Sequence, residues 1–238
     1  MRRSVRKAHK LTVQTNALAD AIAATGSRAR SDIHVIPHGS GQVNRRISAA
    51  VRSSPDVYRI GYLTKWGVQK NFHTLFETAQ LLQQQGLQFK ILLTLDENSE
   101  SGRDLLDDAK NMGLGNIIEN HGDVSGDEMV ALYDSLDIFV FCSVCESFGF
   151  PMIEAMARAL PVVAAATPVN YEITGKAGIM FASYDADQLA DCLKSLMTDS
   201  VKRQMHASLS LERSRAFSWQ NTAAQTLKLL EEVASVGR

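Results

Sequence analysis

Short apolar, β-branched runs alternate along most of this chain with longer stretches of helical periodicity, and few architectures accept that pattern. LQFKILLTL, NIIEN, IFVFCS, VVAAA and GIMF read as strands, and IFVFCS is apolar almost without interruption. A strand that is apolar on both faces must be covered on both faces. Amphipathic helices between such strands supply the cover. The pattern therefore predicts an α/β domain, a parallel sheet with helices on both faces. Sheets of this kind bind ligands beyond the carboxyl ends of their strands. Functional loops are expected at 64–70, 96–103, 121–125, 144–150 and 166–171.

Local signals place the helices. A helix over 71–85 carries Phe72, Leu75, Ala79 and Leu82 on one face and stops at Gly86. The next is read from Asp104 to Met112, before Gly113. Ser125 and Glu128 form a capping box for another. Further helices begin near Pro151, over about Asp185–Met197 with Asp185 as N-cap and Gln188 at the third position, and at Ser218, with Leu227, Leu230 and Val233 on one face. Upstream, LTVQT and DIHVIP read as strands around a helix that Asn16 caps and Gly26 closes. Two strands and one helix are too little for a separate core. They either complete the main domain or belong to another one. RISAAVRSSPDV, residues 46–57, is Ser-rich with one Pro and reads as a linker.

Composition narrows the partners. With 238 residues, 45% hydrophobic and 21% charged, the chain is an ordinary globular protein. Three cysteines exclude a disulfide scaffold and favour a reducing compartment. The net charge of −1 hides an asymmetry: residues 1–52 hold ten Lys/Arg against Asp20 and Asp32 (+8), and the rest hold 15 basic and 24 acidic side chains (−9). The longest uncharged apolar stretch, Ala159 to Tyr171, is shorter than the ~20 residues of a spanning helix and carries two prolines. MRRSVRKAHK resembles the basic start of a signal peptide, but LTVQTNALAD lacks the apolar region that must follow. A cytoplasmic protein is expected. No aromatic residue precedes Tyr58, so the basic start offers nucleic acid no stacking platform. Its two readings are a solvated helix and a peripheral contact with the inner membrane face.

CESFGFPMIEAMARALPVVAA carries the most chemistry. Glu146 sits in the loop after a buried strand, Phe148-Gly149-Phe150-Pro151 turns into a helix, and Glu154 is read in its first turn. Pro at the first helical position forfeits no hydrogen bond. The free amides of such a helix start form an anion site suited to phosphate, and Gly149 lets backbone approach a ligand closely. Carboxylates beside it can accept hydrogen bonds from sugar hydroxyls. These residues describe a site for a phosphorylated, hydroxyl-rich ligand. For two isolated glutamates, a solvated Glu146 and a dipole-favouring Glu154 is the plainer reading.

ESFGFPMIEAMARALPVV resembles the E-x7-E signature of the family 4 retaining glycosyltransferases (glycosyl transferases group 1). VQT near the start, VIPHG at 35–39, QKN at 69–71, HGDVSGDEMVALYDSLDIFV and FSW at 217–219 resemble the same family in order and spacing, over nearly the whole chain. The resemblance implies the GT-B fold, two Rossmann-like domains with the active site between them, of which this chain corresponds to the C-terminal, donor-binding half. It implies a retaining transfer of a hexose from a nucleoside-diphosphate sugar to an acceptor hydroxyl on a glycan or lipid-linked acceptor. Glu146 would contact the donor sugar and Glu154 the nucleotide ribose. Backbone at Ser147, Phe148, Gly149 and Phe150 would face the diphosphate. Lys70 would neutralise the leaving phosphate and, with Glu146, form the catalytic pair. The sugar nucleotide is a substrate, and no cofactor or metal is expected.

The chain departs from the family in places. Tyr62 follows Gly61 where the family has Arg, the loop to Lys70 is longer, and Lys65 is the candidate for the missing charge. Leu160 replaces a usual glycine, and Ser147 stands where Gly is common. Family members carry an N-terminal acceptor domain of well over a hundred residues. Residues 1–45 are expected to be its remnant and crossover, 46–217 the nucleotide-sugar-binding domain, and 218–238 the crossover helix. A natural short product, one subunit of a split enzyme and a truncated piece all fit. The competing function is a non-catalytic nucleotide-sugar-binding or assembly subunit, which needs an acceptor-domain partner chain or a homo-oligomer. A nicotinamide oxidoreductase and an NTPase fail because G-x-G-x-x-G and Walker A loops are missing. An epimerase of the same architecture matches less well. Cys142 and Cys145 read as core packing, His121 as structural or as a group that approaches the donor, His38 as a strand-end residue, and His73 as surface.

Overall fold

The computed structural model describes residues 8–41, 43–52 and 54–236; most of the basic start and Arg238 lie outside them. Eight strands are described: β1 Leu11–Val13, β2 Ile33–Val35, β3 Tyr58–Tyr62, β4 Phe89–Leu93, β5 Ile118–Asn120, β6 Ile138–Phe141, β7 Val162–Ala165 and β8 Gly178–Phe181. The described helices are α1 Asn16–Ala24, α2 Phe72–Gln84, α3 Glu100–Asn111, α4 Gly126–Ser135, α5 Phe150–Ala157, α6 Pro168–Thr174, α7 Ala186–Thr198, α8 Ser200–Ser214 and α9 Trp219–Val236. None is long and apolar enough to cross a membrane.

Six strands form one parallel sheet in the order β5-β4-β3-β6-β7-β8. Every residue of β6 and β7 is buried, as their unbroken apolar sequence requires. Helices cover both faces, and α2 packs on α7. From β3 the chain winds outward through β4 and β5, then returns to place β6 on the other side of β3. The order reverses there, with Ile60 opposite Ile138. A crevice opens at such a switch point beyond the carboxyl ends of the two strands.

β1 and β2 pair parallel as a separate sheet, with Val13, Ala19 and Ile33 as a small cluster of their own. This unit docks through the start of α1: Glu172 of α6 accepts from the Asn16 N–H at 2.7 Å and the Ala17 N–H at 2.9 Å. The cap of α1 is Thr15, whose side chain accepts from Leu18 N–H, and Asn16 is the first helical residue. The described residues of the stretch 46–57 form no helix or strand, and they are fastened to the domain. Arg46 N–H bonds Ala157 O at 2.9 Å, and the guanidinium of buried Arg203 bonds Arg52 O at 2.7 Å.

Four helix readings change. α3 starts at Glu100 rather than Asp104, because Ser99 caps it by accepting from Gly102 N–H at 3.1 Å. The second half of the loop expected at 96–103 is therefore helix. α6 and α8 have no counterpart in the sequence reading. α6 spans only seven residues, and α8 buries Arg203, Ser210 and Ser214 beside Ala207 and Leu211, so it shows no apolar stripe. On α9 the packed residues are Leu229 and Val233, and Leu227 and Leu230 face outward.

Candidate functional site

Two loops meet at the switch point. The loop after β3 closes with a 3-10 turn, Val68–Lys70, before α2. The loop after β6 runs through Ser143 and Glu146 to Gly149, which starts α5. Backbone stitches them together. Val144 N–H donates to Gln69 O at 3.0 Å, and Tyr62 of β3 donates its hydroxyl to Lys70 O at 2.6 Å. That stitching brings Lys70 Nζ onto Glu146 Oε1 as an ion pair, with the two side chains 14% and 16% exposed. Ser143, fully buried, lies 2.7 Å from the same oxygen and 3.2 Å from Gln69 O. Its single proton goes to the nearer, charged acceptor. Lys70 Nζ also stands 5.6 Å from the centre of the Phe141 ring. Glu146 is thus a held anion, not the solvated side chain of the plainer reading.

Gly149 adopts a left-handed conformation at φ +86, and a Cβ there would come 2.5 Å from Met152 Cε. The chain reverses at this glycine and Pro151 follows in the first turn of α5. The first amides of a helix have no intrahelical partner and carry its positive dipole end. Ser147 lends its carbonyl to the Thr15 hydroxyl at 3.1 Å, so the small N-terminal unit reaches the loop beside Glu146. Phe148 is buried and its ring packs against His38, Phe150 and Phe217. Only backbone at Phe148 can face a ligand. Phe150 is 37% exposed and stacks on His38 with centroids 5.6 Å apart.

Glu154 is the fifth residue of α5, beyond the first turn expected for it. Its Oε2 accepts from the buried Tyr133 hydroxyl at 2.9 Å. Burial, and then the nearby Glu154 charge, hold the Tyr133 hydroxyl well above the ordinary tyrosine pKa, so it stays a donor. Beside Glu154 lies a cavity of about 140 Å³ lined by Val43, Val124, Ser125, Gly126 and Met129. Lys65 does not join Lys70. Its side chain is 89% exposed and pairs with Asp123 at 3.8 Å. Tyr62, standing where the resemblance leads one to look for Arg, is buried.

The remaining expectations sort quickly. Cys142 is buried, and burial pushes its thiol well up, whereas Cys145 is exposed and so is not core. His121 is exposed rather than structural, and His73 pairs with Glu77 at 3.2 Å on the surface. Among the described residues no three His, Cys, Asp or Glu side chains gather to hold a metal ion. Ser143, Tyr133 and Gly41 complete the geometry and escaped the sequence reading. The one available signal was Ser143 as the first hydroxyl after the apolar strand.

A parallel α/β sheet with a lysine–glutamate pair at its switch point and a helix start beside it defines a Rossmann-like ligand-binding domain. The chain belongs to the glycosyl transferases group 1 family, whose model matches residues 54–199. It is 27% identical over 246 residues to the MMP alpha-(1->4)-mannosyltransferase of Mycolicibacterium hassiacum, covering 97% of this chain and 56% of that protein. O-antigen chain mannosyltransferase B of Escherichia coli is 35% identical over 107 residues, 44% of this chain and 28% of that protein. In structure the chain is similar to sucrose-phosphate synthase from Thermosynechococcus elongatus, with a TM-score of 0.84, 20% identity and coverage of 99% of this chain and 61% of that one. It is also similar to Anabaena HepE in complex with UDP-glucose, with a TM-score of 0.82, 20% identity and coverage of 96% and 65%. The fold is thus that of one half of a GT-B glycosyltransferase, and the chain spans less than two thirds of the length of each of these relatives.

Proposed function

We propose that this chain binds a nucleoside-diphosphate sugar in the crevice at the β3–β6 switch point and serves the retaining transfer of its hexose to an acceptor hydroxyl. The observation that carries the reading is the Lys70–Glu146 pair held beside the amino end of α5. A family that transfers sugars, a crevice at the reversal of strand order and a helix start suited to phosphate all support it. Glu146 and Glu154 act as the E-x7-E pair, Glu146 toward the sugar and Glu154 toward the ribose. Backbone of Ser147, Phe148, Gly149 and Phe150 faces the diphosphate, and Lys65 leaves Asp123 to add a second cation.

In the reaction the bond from the sugar's anomeric carbon to the phosphate oxygen breaks. A bond from the acceptor oxygen forms on the face the leaving group vacates, and the acceptor proton passes to the departing phosphate. Lys70 and the helix start stabilise the negative charge that grows on that phosphate. No metal enters this scheme. Residues 46–217 form the donor-binding part, and 1–45 with 218–238 belong to an acceptor domain and its crossover. The acceptor is a glycan or a lipid-linked sugar. Free cysteines fit a cytoplasmic protein, with contact at the inner membrane face where the acceptor is lipid-linked.

Calorimetry with UDP, GDP and ADP tests the donor site. At least one should bind, and Glu154→Ala should weaken it about tenfold or more. Failure of all three to bind folded protein would sink the reading. The second reading is a non-catalytic nucleotide-sugar-binding or assembly subunit that needs an acceptor-domain partner chain. Sustained transfer by the purified chain alone would reject that second reading, whereas turnover only with an acceptor-domain partner would support it.

A further inference from the structure

We infer that the groove between α2 and the loop joining β8 to α7 binds a neutral glycan, with the ring of Tyr184 as its platform. The groove lies outside the switch-point loops, and the inference goes beyond the donor-site reading and does not need it. It measures about 650 Å³. One wall is α2, which contributes Glu77, Gln80, Leu81 and Gln84. The other is the loop with Tyr184 and, at the start of α7, Asp187.

Tyr184 singles this groove out. Three described residues other than glycine adopt positive φ: Asn71, Ala159 and Tyr184. Asparagine tolerates this region. Ala159 is the left-handed residue that closes α5, followed by Leu160 N–H on Ala155 O at 3.0 Å. Tyr184, at φ +70, is the third residue of a turn closed by Asp185 N–H on Ala182 O at 3.0 Å. Positive φ at that place in a turn favours glycine or asparagine, and a bulky side chain costs stability there. Contacts within the chain do not account for the choice. The side chain is 66% exposed, and among the described residues its hydroxyl has no hydrogen-bond partner and its ring meets no other aromatic ring. A strained residue that does not serve packing points to function. The turn is also pinned at both ends to α7: Ala182 N–H donates to the Gln188 side chain, and the Asp185 carboxylate accepts from Gln188 N–H at 2.8 Å. A ring presented on a fixed turn loses little freedom when a ligand covers it.

The lining names the ligand. It includes no Lys or Arg, so it offers no ion pair to a phosphate, a sulfate or a uronate. Its polar groups are amides and carboxylates. Gln80 donates its amide N–H to Met112 O at 2.8 Å and keeps its oxygen as an acceptor. Such oxygens accept from hydroxyls, and the apolar C–H face of a pyranose covers an aromatic ring. A cation is the other ligand for an acidic groove. Two of the three carboxylates are already engaged, however: Asp185 caps α7, and Glu77 pairs with His73 at 3.2 Å. A chain of a sugar-transferring family meets hydroxyl-rich partners in any case.

The test is calorimetry on the full chain with maltohexaose and mannohexaose as neutral probes and spermidine as the cationic one. Wild type, Tyr184→Asn and Tyr184→Phe are compared, with a thermal melt of each and UDP and GDP titrated into the same samples. At least one hexasaccharide should bind the wild type with a Kd of about 1 mM or tighter. Tyr184→Asn suits the turn and lacks the ring, so it should bind about tenfold or more weakly and melt at or above the wild type. Tyr184→Phe keeps the ring face and should stay within about threefold of the wild type. Neither hexasaccharide binding the folded wild type, or undiminished binding by Tyr184→Asn, overturns the inference. So does binding of spermidine alone, which would make the groove a cation site. A lower melting temperature in Tyr184→Asn would show that the ring serves the fold, and an equal loss in Tyr184→Phe would refute the stacking; either result overturns the proposal. Absence of nucleotide binding in all three proteins would sink the donor-site reading and leave this inference standing.

Discussion

Replacing Lys70 by Met isolates the electrostatics of the switch-point pair. Methionine keeps an apolar stem against Phe141 and removes the charge. The two partners are 14% and 16% exposed, so their attraction is neither that of bulk water nor that of a dry interior. At an effective dielectric constant of about 20, unit charges about 4 Å apart attract by about 4 kcal/mol. Desolvation of both ions offsets part of this. Without Lys70, Glu146 keeps the Ser143 hydroxyl but remains a shielded anion. The expected loss for Lys70→Met is about 2–3 kcal/mol, equivalent to about 4–12 °C in Tm for a chain of this size. Glu146→Gln still offers the lysine an oxygen and should lose about 1 kcal/mol. The double variant should lose less than the sum, with a coupling of about 1–2 kcal/mol. Urea unfolding followed by the fluorescence of Trp66 and Trp219 measures all four corners of the cycle. Saturating UDP or GDP should shrink the coupling, because a phosphate then shares the lysine. Single variants as stable as the wild type, with strictly additive effects, would mean that the two side chains do not touch in solution, and the argument for a prearranged site would fail.

Three further outcomes are expected. Gly149→Ala forces a Cβ onto backbone at φ +86 and should cost about 1–2 kcal/mol in urea unfolding; an unchanged midpoint would show that the loop relaxes freely. Asp137 is buried and accepts from Arg52 Nε at 2.7 Å and Arg59 N–H at 2.8 Å. In Asp137→Ala the half-exposed Arg52 can turn to water but the amide cannot, so about 1–3 kcal/mol should be lost, and a melting point equal to the wild type would refute the accounting. The hydrogen bonds from Ser125 hold the Glu128 carboxyl below its usual pKa. A depressed carboxyl stabilises above its unfolded value and loses that effect as pH falls through the folded one. The melting gap between wild type and Glu128→Ala should therefore be open at neutral pH and close in acid; a gap that widens on acidification would contradict the sign.

How much of this was legible in one dimension follows from the range of the interactions. Periodicity is local, so the strands and most helices could be read. The apolar run of β6 demanded burial on both faces wherever it went, and the Asp185 cap of α7 acts within three residues. Helix α8 escaped because it buries an arginine and serines whose hydrogen bonds are partly tertiary, Arg203 to Arg52 O among them. The candidate site divides the same way. Glu146, Gly149, Pro151 and Glu154 lie within one short segment, and their meaning as a helix start flanked by acids travels with it. Strand order does not. Only the folded sheet, with β6 returning to the side of β3, brings Lys70 across 76 residues onto Glu146 and leaves Lys65 at Asp123 instead. Only it sets Tyr133 and Gly41 on opposite oxygens of Glu154. The sequence by itself determined the layers, the core and the acidic segment, because hydrophobic period and capping act within a few residues. The tertiary structure alone decided which distant side chains hold those acids, because hydrogen bonds and ion pairs form between whatever the sheet's winding makes adjacent.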